Sequence, residues 1–282
     1  MGVGLFPVQI PMIKPGEECV GVILQSIKEN HHDVADNDVI VIASKVVSTS
    51  LNLIANLDEV KPSERSVSIA KSNNFDPSYA KIIEVITREG DAEYGGIAYQ
   101  KEKFLVMWNR KNKALSINAG VDRKNSPIGT VSLEIRDPHK VAGEIRKEVF
   151  KRTGKRVGIL IIDSNWFPLR NGAIGFTIGL SGFNPVRDCT KDEKGNPATD
   201  IYGRPVPIAR HNQADDLAAA AHLLMGEGGE RVAVVLVKGA PLQFEDNPAV
   251  ETLYMKEEED PFFLVFTPKS KIVSRPQWRG QS

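Results

Sequence analysis

The chain has 282 residues, 41% of them hydrophobic and 26% charged, enough for a substantial core and ordinary for a globular protein. Lysine plus arginine equals aspartate plus glutamate at 36 each, so the formal net charge is zero and the basic excess that polyanion binding needs is missing; no nucleic-acid partner is expected. No stretch approaches the roughly 18 apolar residues of a membrane span, so no membrane partner is expected either.

The opening MGVGLFPVQIPMI is apolar but has no basic flank and is broken by Pro7 and Pro11, while Phe6 breaks the myristoylation pattern. It reads as a strand or loop. Glu17 to Lys28 has helical spacing after Pro15-Gly16, and VIVIA (Val39 to Ala43) reads as a short buried strand. Pro62 to Lys71 and Pro77 to Arg88 each start with proline, where a helix loses no hydrogen bond. Phe104 to Trp108 and Ala114 to Asn118 read as strands around the polar turn NRKNK. A soft boundary falls near Ser132 to Pro138. Asp137-Pro138 then opens a helix with Val141, Ile145 and Val149 on one stripe, closed by Gly154.

Arg156 to Ile162 is a buried strand that stops at Asp163. Ala173 to Ser181 alternates, which predicts one face of Ile174, Phe176, Ile178 and Leu180 and a nearly bare face of Ala173, Gly175, Thr177, Gly179 and Ser181. A bare face implies close approach, either of a ligand or of a packed helix. KDEKGNPATD (Lys191 to Asp200) is a polar excursion. Asp215 to Met225 is an alanine-rich helix and VAVVLV (Val232 to Val237) another buried strand. The basic tail from Pro268 is expected to fray. The order of elements gives a mixed α/β chain. Cys19 and Cys189 fit no metal or redox spacing, so reduced thiols in a cytoplasmic protein are expected.

Asp122, Asp163 and Glu227 lie at element ends near glycines, where they are free to converge on a cation. With the Ser164 hydroxyl they form a hard oxygen set suited to magnesium or manganese. Three solvated turn carboxylates would look the same at this level. MGEGGER follows a helix, so it is no phosphate-binding Walker loop; Gly226 suits a helix stop, and the backbone N–H groups of Gly228 and Gly229 suit phosphate. Lys45, Arg123, Lys124, Arg170 and Arg204 are the basic candidates. Arg170 stands out as a planar donor seven residues past Asp163. His31, His32, His139, His211 and His222 show no ligand spacing and read as surface or helix-face residues. No covalent-hydrolase pattern is present.

Several stretches, in order, are similar to those of the GTP-dependent coenzyme F-420 γ-glutamyl ligases: FPVQIPMIKPGEE, DVIVIASKVVS, PSERSVSIA, INAGVDRKN, GKRVGILIIDSN, RNGAIGFTIGLSG, DIYGRPV and ADDLAAAAHLLMGEGGE. The resemblance runs from about Phe6 to Gly239 and fades beyond Pro241. It implies a mixed α/β fold of two unequal lobes in an intertwined homodimer, with residues 1–240 as the catalytic region and 241–282 as an extension of unassigned role. It implies metal-binding roles for Asp122, Asp163, Ser164 (where the family usually has threonine) and Glu227. Nucleotide-binding roles follow for Ile10, Pro11, Met12, Ile13, Ser44, Lys45, Asn125, Met225, Gly226, Gly228 and Gly229.

The implied reaction uses GTP, L-glutamate and a deazaflavin precursor, with two Mg2+ or Mn2+ ions and a potassium ion, and runs through an acyl phosphate. Three positions depart from the family: Thr49 replaces a nucleotide-contacting lysine, and Trp166 and Phe167 replace a Gly-Arg pair. With Arg170, Trp166 becomes a candidate substrate contact. The departures leave open a related ligase with another acceptor, or a nucleotide-binding protein without turnover.

Overall fold

The computed structural model describes residues 2–99, 103–109, 114–167, 170–192, 194–256 and 259–260. The elements, in order, are β1 (Gly4–Gln9), α1 (Cys19–Glu29), β2 (Val39–Ala43), α2 (Ser44–Ser50), β3 (Ile54–Asn56), α3 (Glu64–Ser72), α4 (Ala80–Glu89), β4 (Asp91–Tyr99), β5 (Lys103–Asn109), β6 (Ala114–Ile117), β7 (Thr130–Ser132), α5 (Pro138–Thr153), β8 (Gly158–Trp166), β9 (Ala173–Ser181), β10 (Val186–Asp188), β11 (Arg210–Asn212), α6 (Gln213–Met225) and β12 (Val232–Lys238). Most of the NRKNK turn and the tail from Pro268 lie outside the described residues.

VIVIA, GILII and VAVVLV are apolar on both pleat faces, so each strand needs cover on both sides. They form the centre of a five-stranded sheet ordered β1-β12-β2-β8-β9. Only the β2–β8 pair is parallel; the other pairs are antiparallel. One face packs Ile40, Ile42, Ile159 and Ile161 against α1 and α5 through Ile23, Ile27, Ile145 and Val149. The opposite face packs Val41, Leu160, Ile162 and Val235 against α6 through Ala214, Ala218 and Ala221. The alanines let α6 lie close to the sheet. Beyond β12, Leu242, Phe244, Val250 and Leu253 extend this second core, and Tyr254 joins its hydroxyl to His139 Nε2 at 2.8 Å.

A separate small core gathers Ala70, Ile82, Ile83 and Ile86 with Leu105, Ala119, Val121 and Val131. The chain leaves it between Val131 and Ile135, since Ile135 belongs to the main core. Caps set the helix ends. Glu18 caps α1, Ser63 caps α3, Asp137 caps α5 and Asn212 caps α6, while Gly154 ends α5 at φ 70°. Helix α2 was not legible in SKVVSTS, whose serines and β-branched residues have weak helix propensity.

The alternation predicted for β9 needs correction. Ile161 pairs with Gly179 but Ile162 pairs with Thr177, so an extra β9 residue interrupts the ladder. This bulge switches the faces. Phe176 and Ile178 join the α5-side core, whereas Leu180 joins the α6-side core. The bare face is therefore split. A Cβ on Gly175 would lie 2.5 Å from His222 Cβ and 2.6 Å from the Ala218 carbonyl oxygen in α6, and one on Gly179 would lie 2.5 Å from the Pro138 carbonyl oxygen in α5. Close helix packing, not a ligand, accounts for both glycines.

Glu84 anchors the small core. It is 9% exposed and accepts hydrogen bonds from Ser63 Oγ (2.6 Å), Ser63 N (2.9 Å), Ser66 Oγ (2.7 Å) and Arg88 Nε (3.0 Å). The Ser63 donors, followed by Ser66, lower its pKa from 4.5 to about 2. A lowered carboxylate pKa stabilises the fold fully above the unfolded value of 4.5, and that contribution disappears as pH falls towards 2. Glu84→Gln is expected to cost about 2 kcal/mol at neutral pH, the scale of charge-assisted hydrogen bonds. In denaturant titrations the gap to wild type should shrink below pH 5; a gap independent of pH would show that Glu84 is not held as a carboxylate.

Candidate active site

Parallel register brings the first two site residues together. Ala43, the last residue of β2, pairs with Ile162 in the middle of β8, so the next residues, Ser44 and Asp163, lie level at the carboxyl end of β2. Open α/β sheets place their ligand crevices at such strand ends. Ser44 Oγ donates to Asp163 Oδ2 at 2.9 Å, and Ser164 N donates to Asp163 Oδ1 at 2.7 Å. Burial pushes the Asp163 carboxyl pKa up against these hydrogen bonds and the nearby Lys45 charge. The strand does not stop at the acid, as the sequence suggested: β8 runs on to Trp166, with Asp163 paired to Phe176 of β9, so the acid is held within a strand in a sparsely solvated place rather than on a surface turn.

Asp122 comes from the small-core side. Its backbone forms an isolated antiparallel bridge with Ser132, which fixes the acid at the edge of that core. Lys45 Nζ reaches from α2 to Asp122 Oδ2 at 2.8 Å and to Ser132 Oγ at 2.6 Å. Three consecutive positive-φ residues, Asn118 and Ala119 at φ 52° and Gly120 at φ 79°, turn the chain between β6 and this bridge.

Glu227 follows α6. Gly226 adopts φ 72° and ψ −171°, a conformation essentially reserved for glycine, and so directs the chain from the helix into the loop. Glu227 accepts from His222 Nε2 at 2.7 Å and from Lys124 Nζ at 2.6 Å. Burial works to raise its pKa, but the hydrogen bonds from Lys124, Ser164 and His222 outweigh it and hold the carboxyl at about 2. Asn125, left-handed at φ 57°, donates its Nδ2 to the Gly228 carbonyl at 3.0 Å and ties the Asp122 loop to the glycine loop.

A cavity of about 710 Å3 joins these groups. Its lining includes Ile10, Pro11, Met12, Ile13, Ser44, Lys45, Asp122, Asn125, Asp163, Ser164, Met225, Gly226, Glu227, Gly228 and Gly229. Segments far apart in the chain thus supply apolar walls, hard oxygen donors and cations to one space. Its volume is within the usual range for small-molecule sites, roughly 300–1,000 Å3. Among the described residues, no group of three Asp, Glu, His or Cys side chains forms a ready-made metal cage. Each acid is instead engaged by a protein donor: Asp122 by Lys45, Asp163 by Ser44, and Glu227 by Lys124 and His222. The chemistry of the donors fits a hard divalent ion, provided those contacts are exchanged.

Trp166 and Arg170 are not among the lining residues; Arg170 is exposed, and its backbone N–H bonds the Phe167 carbonyl at 3.1 Å. Arg123 is exposed, and the Arg204 guanidinium lies 5.7 Å from the centre of the Tyr202 ring. Thr49 lines the cavity and is 7% exposed, placing an uncharged group in its wall. Sequence reasoning overlooked His222, which helical periodicity reads as a face residue; its five-residue spacing from Glu227 across Gly226 was the available signal. It also left Lys124 without a partner.

The sequence profile described as "F420-0:Gamma-glutamyl ligase" matches residues 7–239. A protein named "Coenzyme F420:L-glutamate ligase" from Archaeoglobus fulgidus is 33% identical over 261 residues, covering 92% of this chain and 96% of its own length. Proteins of the same name from Methanothermobacter thermautotrophicus and Methanocaldococcus jannaschii are 33% and 32% identical, covering 93% and 89% of this chain and 99% and 93% of their own lengths. The chain belongs to the F420-0:gamma-glutamyl ligase family, a family of ligases.

Proposed function

We propose that the chain is a GTP- and divalent-metal-dependent ligase that joins L-glutamate, in amide linkage, to the carboxylate of the deazaflavin precursor of coenzyme F-420. The observation that carries this reading is the meeting of Asp122, Asp163, Ser164 and Glu227 with Lys45, Lys124 and the glycine loop in one cavity. The four oxygen-bearing residues would hold Mg2+ or Mn2+. Bound there, the ions would supply charge neutralisation at a triphosphate. Lys45, fixed by Asp122 and Ser132, adds a preorganised positive charge. In the loop from Gly226 to Gly229 the Gly226 N–H is bonded to the His222 carbonyl at 2.9 Å and the Gly228 N–H to Glu230 Oε2 at 2.8 Å, so a phosphate oxygen would take the Gly228 N–H by displacing Glu230, while Ile10, Ile13 and Met225 offer apolar contact to the rest of the nucleotide.

In the proposed sequence, the acceptor carboxylate attacks the γ-phosphorus and GDP leaves. The glutamate amine, having lost a proton, then attacks the acyl carbon and expels phosphate. The protein forms no covalent bond; positioning and fixed charge lower the barrier.

The test is phosphate release with GTP, Mn2+, L-glutamate and the precursor, with and without K+. Release that needs both glutamate and the precursor supports the reading. Release only with another acid would favour a related ligase with a different acceptor. That second reading draws on uncharged Thr49 in the cavity wall and on Phe167, 41% exposed four residues beyond Asp163. Tight GTP binding without turnover would leave a nucleotide-binding protein.

The reading includes a homodimer. Ile201, Tyr202 and Ile208, between β10 and β11, are 92%, 78% and 89% exposed, large apolar side chains of the kind that partners cover. Light scattering should return a mass near 62 kDa, twice the 31.0 kDa chain.

A further inference from the structure

The lysines of the cavity differ in how they are held. Lys45 has a side chain 22% exposed and two partners, Asp122 and Ser132 Oγ, so it is a fixed charge. Lys124 has a side chain 52% exposed, and its ammonium is paired with Glu227 Oε2, itself on a side chain 44% exposed. Such an open pair contributes little stability, about 0–1 kcal/mol, and is readily exchanged. The Lys124 backbone is not loose: its N–H donates to Asp122 Oδ1 at 2.8 Å. The flexible stem therefore swings from an anchored base.

The loops on either side do not depend on this ion pair. Asn125 Nδ2 bonds the Gly228 carbonyl at 3.0 Å in parallel with it, and His222 holds the other Glu227 oxygen at 2.7 Å. Release of Lys124 would leave Glu227 oriented by His222 and Ser164, with one donor fewer on its carboxylate, and would place an ammonium in the cavity that the glycine loop lines.

We propose that Lys124 is an exchangeable cation: it holds Glu227 until a divalent ion takes that oxygen, then turns to the phosphates of the nucleotide, so that metal and nucleotide bind with positive coupling. This rests on the metal and nucleotide reading above. A lysine suits the role because its ammonium is a compact charge on a long stem, whereas a guanidinium fork would grip the carboxylate by two bonds. The coupling is reciprocal: whatever affinity metal adds for nucleotide, nucleotide adds for metal.

The test is calorimetry of Lys124→Ala and Lys124→Gln against wild type, with Mn2+ alone and with GTP at saturating Mn2+. Removing a competitor worth up to about 1 kcal/mol should tighten Mn2+ binding alone by up to ~5-fold. Removing a charged phosphate contact should weaken GTP binding ~10-fold or more. A purely structural post would not move the two affinities in opposite directions. Unchanged or weaker Mn2+ binding in both variants, with unchanged melting temperatures, overturns the proposal. If wild type binds Mn2+ but no GTP, the nucleotide reading and the second half of the exchange fail together, while the Mn2+ comparison still decides whether Lys124 competes for Glu227.

Discussion

Asp163→Asn is expected to lower affinity for the metal–nucleotide complex at least ~100-fold while leaving the fold as stable as wild type or slightly more so. The two halves have one cause. Burial pushes the Asp163 pKa up, so the folded protein disfavours the charge that a metal needs. A carboxamide of the same shape keeps the acceptor oxygen for Ser44 or the Ser164 N–H and removes that electrostatic cost. Binding sites commonly carry such a conflict between stability and function. The loss in affinity is set against the 10–100-fold that follows when only a partner of a metal ligand is altered; removing the ligand's own charge should exceed it. Calorimetry with Mn2+ and GTP reads the first half and scanning calorimetry the second. Normal binding by this variant would remove Asp163 from the site and leave the acid as a residue of β8 without a ligand.

Gly175→Val is the other change expected to be large, and its effect on stability does not depend on the functional reading. The new Cβ would meet His222 Cβ at 2.5 Å and the Ala218 carbonyl at 2.6 Å, and backbone in the middle of a packed helix has little room to yield. Helix α6 must then shift away from β9. Overpacking of this kind costs about 1–3 kcal/mol, and the branched side chain should place the loss near the top of that range. The shift also carries His222, and Glu227 five residues beyond it, so ligase turnover should fall ~10-fold or more under the same displacement. Gly143→Ala is the matched control in α5. Its Cβ would meet only Ser181 Oγ at 3.9 Å, and alanine there should raise stability by about 1 kcal/mol through helix propensity. Equal stability of the Gly175 and Gly143 variants would refute the close-packing account of β9.

Much of the fold could be read along the chain because its cues are local. The unbroken apolar runs at Val39 and Val232 announced strands covered on both sides, and Asp137-Pro138 with Gly154 marked both ends of α5. Helix α2 escaped because tertiary packing, not propensity, holds SKVVSTS helical: Val46 and Val47 are buried in the main core. The β9 faces were misassigned because a bulge is set by pairing with β8, and no residue of AIGFTIGLS declares where the extra position falls. Among the site candidates, Arg170 and Trp166 lie close in sequence to Asp163, yet neither is among the cavity lining residues.

Reading along the chain was enough to know which groups are present: acids and a hydroxyl as hard oxygen donors, a glycine loop after an alanine-rich helix, and an uncharged Thr49 where the family resemblance leads one to expect a lysine, although Asp163 and Ser164 lie within β8 and not at its end. The sequence also carried the family relationship, since that rests on order and spacing along the chain. Which of these groups meet was set by long-range pairing and packing. Parallel pairing of β2 with β8 set Ser44 beside Asp163, the Ser132 bridge placed Asp122 within reach of Lys45, and the close seat of α6 on Gly175 positioned His222 and the turn to Glu227. The physical reason is range: propensities and caps act over a few residues, whereas the Lys124–Glu227 contact closes 103 residues of chain and forms only when both cores are packed.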